Sequence, residues 1–335
     1  MRIGPVDTAD RVLVIAEIGN NHEGDVELAE ELVRLAAAAG AGAVKFQAIV
    51  PDRLVSATDT ARVAQLERFR LDPADFAALA ELAAAEGVGF LCTPFDLDSV
   101  RMLDPLVPAF KIASGDNTFT PLLEAVAATG KPVVLSAGLT DLAEISEARD
   151  TIRGVWSSSG VDQELALLHC VVSYPTPPEQ ANLQAIRTLA KLGETVGYSD
   201  HTLGIEAAVL AVALGARIVE KHFTIARDHS DFRDHQLSAD PADLAAMVGR
   251  IREAEILLGT GEKRMQPAEA DAAVKARRSV VAARDLVAGR VIAWEDLDWV
   301  RPGGGVAPGD EGVLIGRALR HAVARGSMLR PGDVE

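Results

Sequence analysis

An alternation sustained eight times constrains this chain more than any other feature. Short apolar runs rich in Val, Ile and Leu recur at 12–18, 43–47, 89–93, 109–114, 133–137, 165–171, 195–199 and 217–223. Between them lie longer Ala/Leu-rich runs with helical spacing, at 26–39, 73–85, 122–129, 141–153, 183–192 and 205–214. A shorter piece, 97–103, joins the third and fourth apolar runs, and 241–258 closes the series. Brief continuous apolar runs are the pattern of strands buried on both faces, and strands separated by helices pair in parallel. Eight βα units within 1–260 predict an α/β protein built on a (β/α)8 barrel, a fold of about 250 residues. A doubly wound open sheet is the rival. No GxGxxG follows the first strand to support it, and eight successive repeats favour closure.

The composition changes after residue 258. The stretch 261–278 is polar and charged and reads as a linker. From 279 to 335 brief Val/Leu runs alternate with Gly and Pro (SVVAARDL, WEDLDWVRPGGGV, GSMLRPGDV), which predicts a small, loop-rich β domain. A domain of that size is marginal alone.

Charge and hydropathy exclude several partners. The 335 residues hold 33 Lys+Arg against 49 Asp+Glu, a formal net charge of −16. Such a surface repels phosphate backbones and anionic bilayers, so neither nucleic acid nor membrane is expected as a partner. No run approaches the ~20 apolar residues of a membrane span, and MRIGPVDTADR lacks a signal peptide's apolar core, so a cytoplasmic protein is expected. Cys92 and Cys170 sit in apolar runs with no CxxC spacing and read as free buried thiols.

Reactive groups of a barrel gather where its strands end. The ends carry Glu17; Lys45 and Gln47; Thr93; Lys111 and Ser114; Ser136; Tyr174; Ser199 with His201; and Glu220 with His222. Any one of these alone is a satisfied buried polar group. Eight strands in succession that finish this way are a signal. Glu220 and His222 are two apart and share a strand face, and His201 follows the neighbouring strand, so two imidazoles can share a divalent ion. Lys45 and Lys111, with the hydroxyls of Thr93, Ser114, Ser136 and Ser199, suit an anion bearing phosphate and carboxylate. The competing reading pairs each lysine with a neighbouring acid, which two lysines in otherwise apolar strands make the weaker choice.

The segments AEIGNNHEGD (16–25), AVKFQ (43–47), CTPFD (92–96), KIASGD (111–116), YPTP (174–177), YSDHTLG (198–204) and EKHFT (220–224) resemble the sialic acid (N-acetylneuraminate) synthase family. KARRSVVAARDL (275–286) and WVRPGGGVAP (299–308) resemble that family's antifreeze-like SAF domain, so the likeness spans nearly the whole chain. It implies a transferase that condenses phosphoenolpyruvate with an N-acylmannosamine-like aldose, giving a 2-keto-3-deoxy nonulosonic acid and phosphate with C–O cleavage. It implies a divalent metal, Mn2+ first, with Mg2+ or Co2+ as alternatives, on His201 and His222. The phosphoenolpyruvate contacts become Lys45, Thr93, Lys111, Ser114, Ser136 and Ser199. Glu17 is implied near the reacting centre, Tyr174 and Asp234 on the sugar side. It also implies a homodimer whose SAF domain caps the partner barrel and brings Arg301 to the sugar.

Three departures stand out. Val172 replaces a polar residue common in relatives, SAG replaces STG at the end of the fifth strand, and Phe232-Arg233 stands where Gly-Pro is frequent. Two of these fall on the sugar half, where Arg233 could favour an acidic acceptor or pair with Asp231. Two other functions compete: a non-catalytic sugar-sensing barrel, and a metal-dependent aldolase or isomerase that does not use phosphoenolpyruvate. The first predicts decay at the strand ends, which is not seen, and the second leaves two lysines and four hydroxyls unexplained.

Overall fold

The computed structural model describes residues 1–335. A hairpin, β1 (Arg2–Ile3) and β2 (Val6–Asp7), precedes eight strands: β3 (Leu13–Gly19), β4 (Ala43–Ala48), β5 (Gly89–Pro94), β6 (Phe110–Ile112), β7 (Val133–Ser136), β8 (Leu165–Cys170), β9 (Thr195–Asp200) and β10 (Ile218–His222). These pair in parallel in the order β5-β4-β3-β10-β9-β8-β7-β6, and β5 lies against β6, so the sheet curls into a barrel. The helices around it are α1 (Val26–Ala38), α2 (Pro51–Leu54), α3 (Thr60–Glu67), α4 (Pro73–Ala85), α5 (Leu97–Leu103), α6 (Thr120–Ala128), α7 (Leu142–Ser158), α8 (Ala185–Leu189), α9 (Glu206–Ala213), α10 (Arg233–Leu237) and α11 (Pro241–Leu258).

Two cores explain the strand sequences. Val14, Ala16, Ile18, Val44, Phe46 and Val219 face outward and pack in the layer of Leu32, Leu79 and Met247 from the helices. The alternate residues Leu13, Ile15, Ala43, Leu91, Ala109, Val134, Leu168 and Ile218 form a separate interior core, joined by Met1, Ile3 and Val6 of the hairpin. With a period of two, the same inward face continues into Glu17, Lys45, Thr93, Lys111, Ser136, Ser199 and Glu220. Seven of the eight strands are therefore polar inside at their ends, β8 ending inward on Cys170.

The strand boundaries agree with the sequence expectation to within one or two residues. Two site residues shift: Ser114 leaves its strand for a 3-10 turn (Ser114–Asp116), and Tyr174 lies four residues beyond β8; His201 follows β9 directly, as expected. The helix expected at 141–153 runs on to Ser158, because Trp156 is buried and its indole N–H donates to the Ala127 carbonyl at 3.0 Å.

The chain divides into two compact units, Met1–Gly259 and Thr260–Glu335. In the second, the stretch read as linker contains a helix, α12 (Ala270–Ala276), whose short, Ala-rich and polar sequence gave no apolar period. Beyond it β11 (Ser279–Ala282) pairs antiparallel with β12 (Leu297–Val300). Val280, Leu286, Ile292, Leu314, Leu319 and Leu329 make its core. The buried Asp296 carboxylate ties two of its loops, accepting from Arg284 at 2.6 Å and from Arg290 at 3.0 Å.

Candidate active site

The strand ends open into one cavity of about 920 Å3, lined by Glu17, Lys45, Gln47, Lys111, Ser114, Ser136, Tyr174, Ser199, His201, Glu220, His222 and Asp234. Parallel register does the gathering. Glu17 is level with Lys45 on one side and His222 on the other, and Glu220 is level with Ser199. Thr93 sits behind this wall: it is buried, and its hydroxyl accepts from Lys45 Nζ at 3.4 Å. Arg301 belongs to the second unit, exposed just after β12.

Two acids and two lysines alternate at the floor. Lys45 Nζ stands 3.2 Å from Glu17 Oε2 and 3.2 Å from Glu220 Oε1, and Lys111 Nζ lies 3.8 Å from the same Glu220 oxygen. The lysines thus do have acidic partners, against the expectation that they wait unpaired. A buried ammonium must be compensated, and barrel register offers it nothing else. Lys111 also donates to Ser136 Oγ at 2.7 Å, and Ser199 Oγ donates to Glu220 Oε1 at 3.0 Å. Glu17 Oε1 accepts from Gln47 Nε2 at 2.8 Å. A β-carbon at Gly19 (φ +55°) would stand 3.1 Å from Glu17 Oε1 and 3.2 Å from Gln47 Nε2, so the glycine after the strand bulge gives this pair room.

The two carboxyls are driven apart. Burial pushes Glu17 up to about 7, the pull of Lys45 opposing and the charge of Glu220 adding. Burial acts upward on Glu220 too, but Lys111 and Lys45 outweigh it and hold that carboxyl below its usual range. Burial, with Lys45 adding repulsion, lowers Lys111 to about 8 although Glu220 opposes. Oε2 of each carboxylate is sealed from solvent without a hydrogen-bond partner, although Glu17 Oε2 has its ion pair with Lys45 at 3.2 Å.

The imidazoles of His201 and His222 face each other with ring centres 5.3 Å apart. His201 Nδ1 lies 2.8 Å from the Val171 carbonyl, which can only accept, so Nδ1 carries a proton and Nε2 is the nitrogen left to coordinate. His222 is buried and its Nδ1 has no partner. Burial first, then neighbouring His201, keeps His222 well below the ordinary histidine range and therefore neutral. Two imidazoles brought together on adjacent strand ends suit a divalent ion, which binds them through unprotonated ring nitrogens. No third His, Cys, Asp or Glu joins them, so the remaining positions would fall to water or substrate oxygens. Asp200 and Lys221 alternate with these histidines and face outward. They form a buried pair at 2.8 Å, and Asp200 Oδ1 also accepts from the Thr202 N–H and hydroxyl. This pair fixes the turn that carries His201.

On the opposite side Tyr174 packs its ring 4.2 Å from that of His201, and the Arg233 guanidinium lies 4.9 Å over the Tyr174 ring. Arg233 pairs with Asp234 at 3.5 Å and not with Asp231. Val172 lines the cavity near Gly138, where an added β-carbon would come within 2.8 Å of it. Sequence reasoning missed Glu23, Arg62 and Phe69, which line the cavity from the loops after β3 and β4. Helix α3, which carries Arg62, is short and largely exposed, leaving no apolar stripe to announce it.

The NeuB family model matches residues 32–263, and the SAF domain model matches 277–335. The chain belongs to the NeuB family. Among its relatives is an N,N'-diacetyllegionaminic acid synthase of Legionella pneumophila, 39% identical over 98% of this chain and 96% of that one. An uncharacterized protein of Methanocaldococcus jannaschii is 43% identical over 94% of this chain and 92% of the other. A crystal structure of the N-acetylneuraminic acid synthetase of Leptospira borgpetersenii in complex with citrate superposes with a TM-score of 0.74 and 37% identity, over 78% of this chain and 90% of that one. NeuB membership and the SAF domain agree with the resemblance carried by YSDHT and EKHFT.

Proposed function

We propose that this NeuB-family enzyme condenses phosphoenolpyruvate with the open-chain aldehyde of an aldose, giving a 2-keto-3-deoxy acid and inorganic phosphate. The alkene carbon of phosphoenolpyruvate attacks the aldehyde carbon, water adds to the adjacent carbon, and that carbon's bond to the phosphate oxygen breaks. The observation that carries this reading is a pair of buried ammonium groups and three serine hydroxyls facing the same cavity as two imidazoles.

Lys45 and Lys111 bind and orient the anion, with Ser114, Ser136 and Ser199 donating to its oxygens. Two acids compensate two lysines at the floor, so an entering anion needs one acid neutralised. Glu17, pushed up to about 7, takes that proton near neutral pH, leaving the floor cationic when the anion binds. The protonated carboxyl can then hand its proton to the oxygen that becomes a hydroxyl, and the carboxylate left behind can take one from the attacking water. Glu220 keeps its charge and holds both lysines in place. His201 and His222 would hold the divalent ion, with Mn2+ the first candidate. Bound there, it would polarise the aldehyde carbonyl. Tyr174, Asp234 and Val172 face the aldose. We also propose that the enzyme works as a homodimer in which Arg301 serves the barrel of the partner subunit.

Phosphate release measured with phosphoenolpyruvate, Mn2+ and a panel of aldoses tests this reading, with product masses recorded. Phosphate is expected only when an aldose is present, and N-acetylmannosamine should be a poorer acceptor than a modified six-carbon aldose. Val172 cannot make the hydrogen bond a polar side chain would, a loss of about 1–3 kcal/mol. Phosphate release without an aldose, or none with any, would overturn the reading.

One observation favours a second reading. Lys111, lowered to about 8, resembles the lysine of a Schiff-base aldolase. Borohydride with pyruvate separates the two: trapping at Lys111 would establish the aldolase, and its absence is expected here.

A further inference from the structure

We propose that Glu23 is a positioning residue for the acceptor half of the cavity. Its carboxylate latches the segment 230–235, after β10, to the loop after β3, and that latch sets where Arg233 and Asp234 stand. The inference rests on the reading that Tyr174 and Asp234 face the aldose.

Glu23 has φ +48°, in the left-handed region that a non-glycine residue adopts at a cost. Oε1 of its carboxylate accepts the Ser230 hydroxyl hydrogen, and His235 Nε2 lies 3.1 Å from the same oxygen. A carboxylate only accepts, so Nε2 carries an imidazole proton, and Nδ1 lies 2.6 Å from the Thr224 hydroxyl. His235 has no solvent exposure. The relay therefore runs from the end of β10 through a buried ring to the loop after β3. Asn21, two residues before Glu23, reinforces it. Its amide donates to Ser238 Oγ at 3.0 Å, and that hydroxyl donates to the Asp234 carbonyl at 2.6 Å. From the other side Phe69 packs on Phe232 with ring centres 4.7 Å apart.

With its ends held, the segment places the Arg233 guanidinium over Tyr174 and Asp234 on the cavity wall. None of the groups latched by Glu23 is a lysine or serine of the anion half. Loss of the latch should therefore act on the aldose alone, and glutamine, which keeps an accepting oxygen, should preserve it.

The test compares full-length Glu23→Ala and Glu23→Gln by steady-state kinetics in both substrates and by amide hydrogen exchange of residues 228–235. Glu23→Ala is expected to raise the aldose KM at least tenfold with the phosphoenolpyruvate KM within twofold, and to speed exchange of the segment at least tenfold. Glu23→Gln should restore both. Ser230→Ala, which cuts the latch from the other side, is expected to move both readouts the same way and serves if Glu23→Ala does not fold. Unchanged exchange, equal rises in both KM values, or a glutamine variant that behaves like alanine would each overturn the proposal. If the wild-type enzyme turns over no aldose, the proposed function fails by itself, and exchange still judges the latch.

Discussion

Glu17 and Glu220 are alike in chemistry and stand on adjacent strands, yet their surroundings drive them in opposite directions. Glu220 has two ammonium neighbours and a serine hydroxyl, so it stays charged; Glu17 shares one ammonium and is pushed up to about 7. Neighbouring carboxyls driven apart in this way are a recurrent acid/base arrangement. Glu17→Gln should lower kcat roughly a hundred- to ten-thousand-fold. It should also change the pH dependence of stability. A carboxyl with its folded value raised contributes fully below its unfolded value near 4.5, and that contribution is lost as pH rises towards 7. Thermal melts should therefore show Glu17→Gln gaining on the wild type as pH rises from about 4.5 to 7, with the difference levelling off above that. A constant difference would place the charge elsewhere. For the imidazoles, His201→Ala or His222→Ala should abolish Mn2+ binding measured by calorimetry, with the circular dichroism spectrum unchanged. Stoichiometric binding to either variant would remove the metal from this pair.

At the scale of elements, much was legible because the barrel's periods are strong. A short, β-branched apolar run between helical stretches reads as a strand covered on both faces, and the change from apolar to polar along its inward face marks where the cavity begins. That is why Lys45, Lys111, Ser136 and the two histidines were found from sequence. What escaped was short or held by tertiary contacts. The β1–β2 hairpin has two-residue strands, and α2, α3 and α10 are too brief for an apolar period to emerge. The latch at Glu23 was invisible because its partners lie about 210 positions away in the chain. Helix α7 overran its expected end at Arg153 because packing outweighed the helix-weakening Gly154. Trp156 holds that end, so Trp156→Ala should cost about 3–5 kcal/mol in denaturant unfolding. A cost below about 1 kcal/mol, the scale of a surface substitution, would show that the last turn is held otherwise.

At the scale of the molecule, the chain carries a net charge of −16, yet its cavity floor gathers buried lysines, so the proposed anion would be admitted by local compensation and not by the global field. No helix is long and apolar enough to cross a membrane. The break in composition near residue 258 falls where the compact units divide, because a solvated segment separates two apolar cores. Whether Arg301 serves its own barrel or the partner's is tested by mixing Arg301→Ala with His222→Ala chains. Trans service lets a heterodimer pair an intact barrel with an intact arginine, so activity should recover towards a quarter to a half of wild type, on the order expected for one competent site per heterodimer. An inactive mixture in which heterodimers form would contradict it.

The central claim is that phosphoenolpyruvate gives up its phosphate by C–O cleavage, with an aldose as the acceptor. Phosphoenolpyruvate labelled with 18O at the bridging oxygen reports this directly by mass spectrometry of both products. The label is expected in the released phosphate, and only when aldose is present. Label retained in the keto acid, or appearing in phosphate without any aldose, would contradict the account.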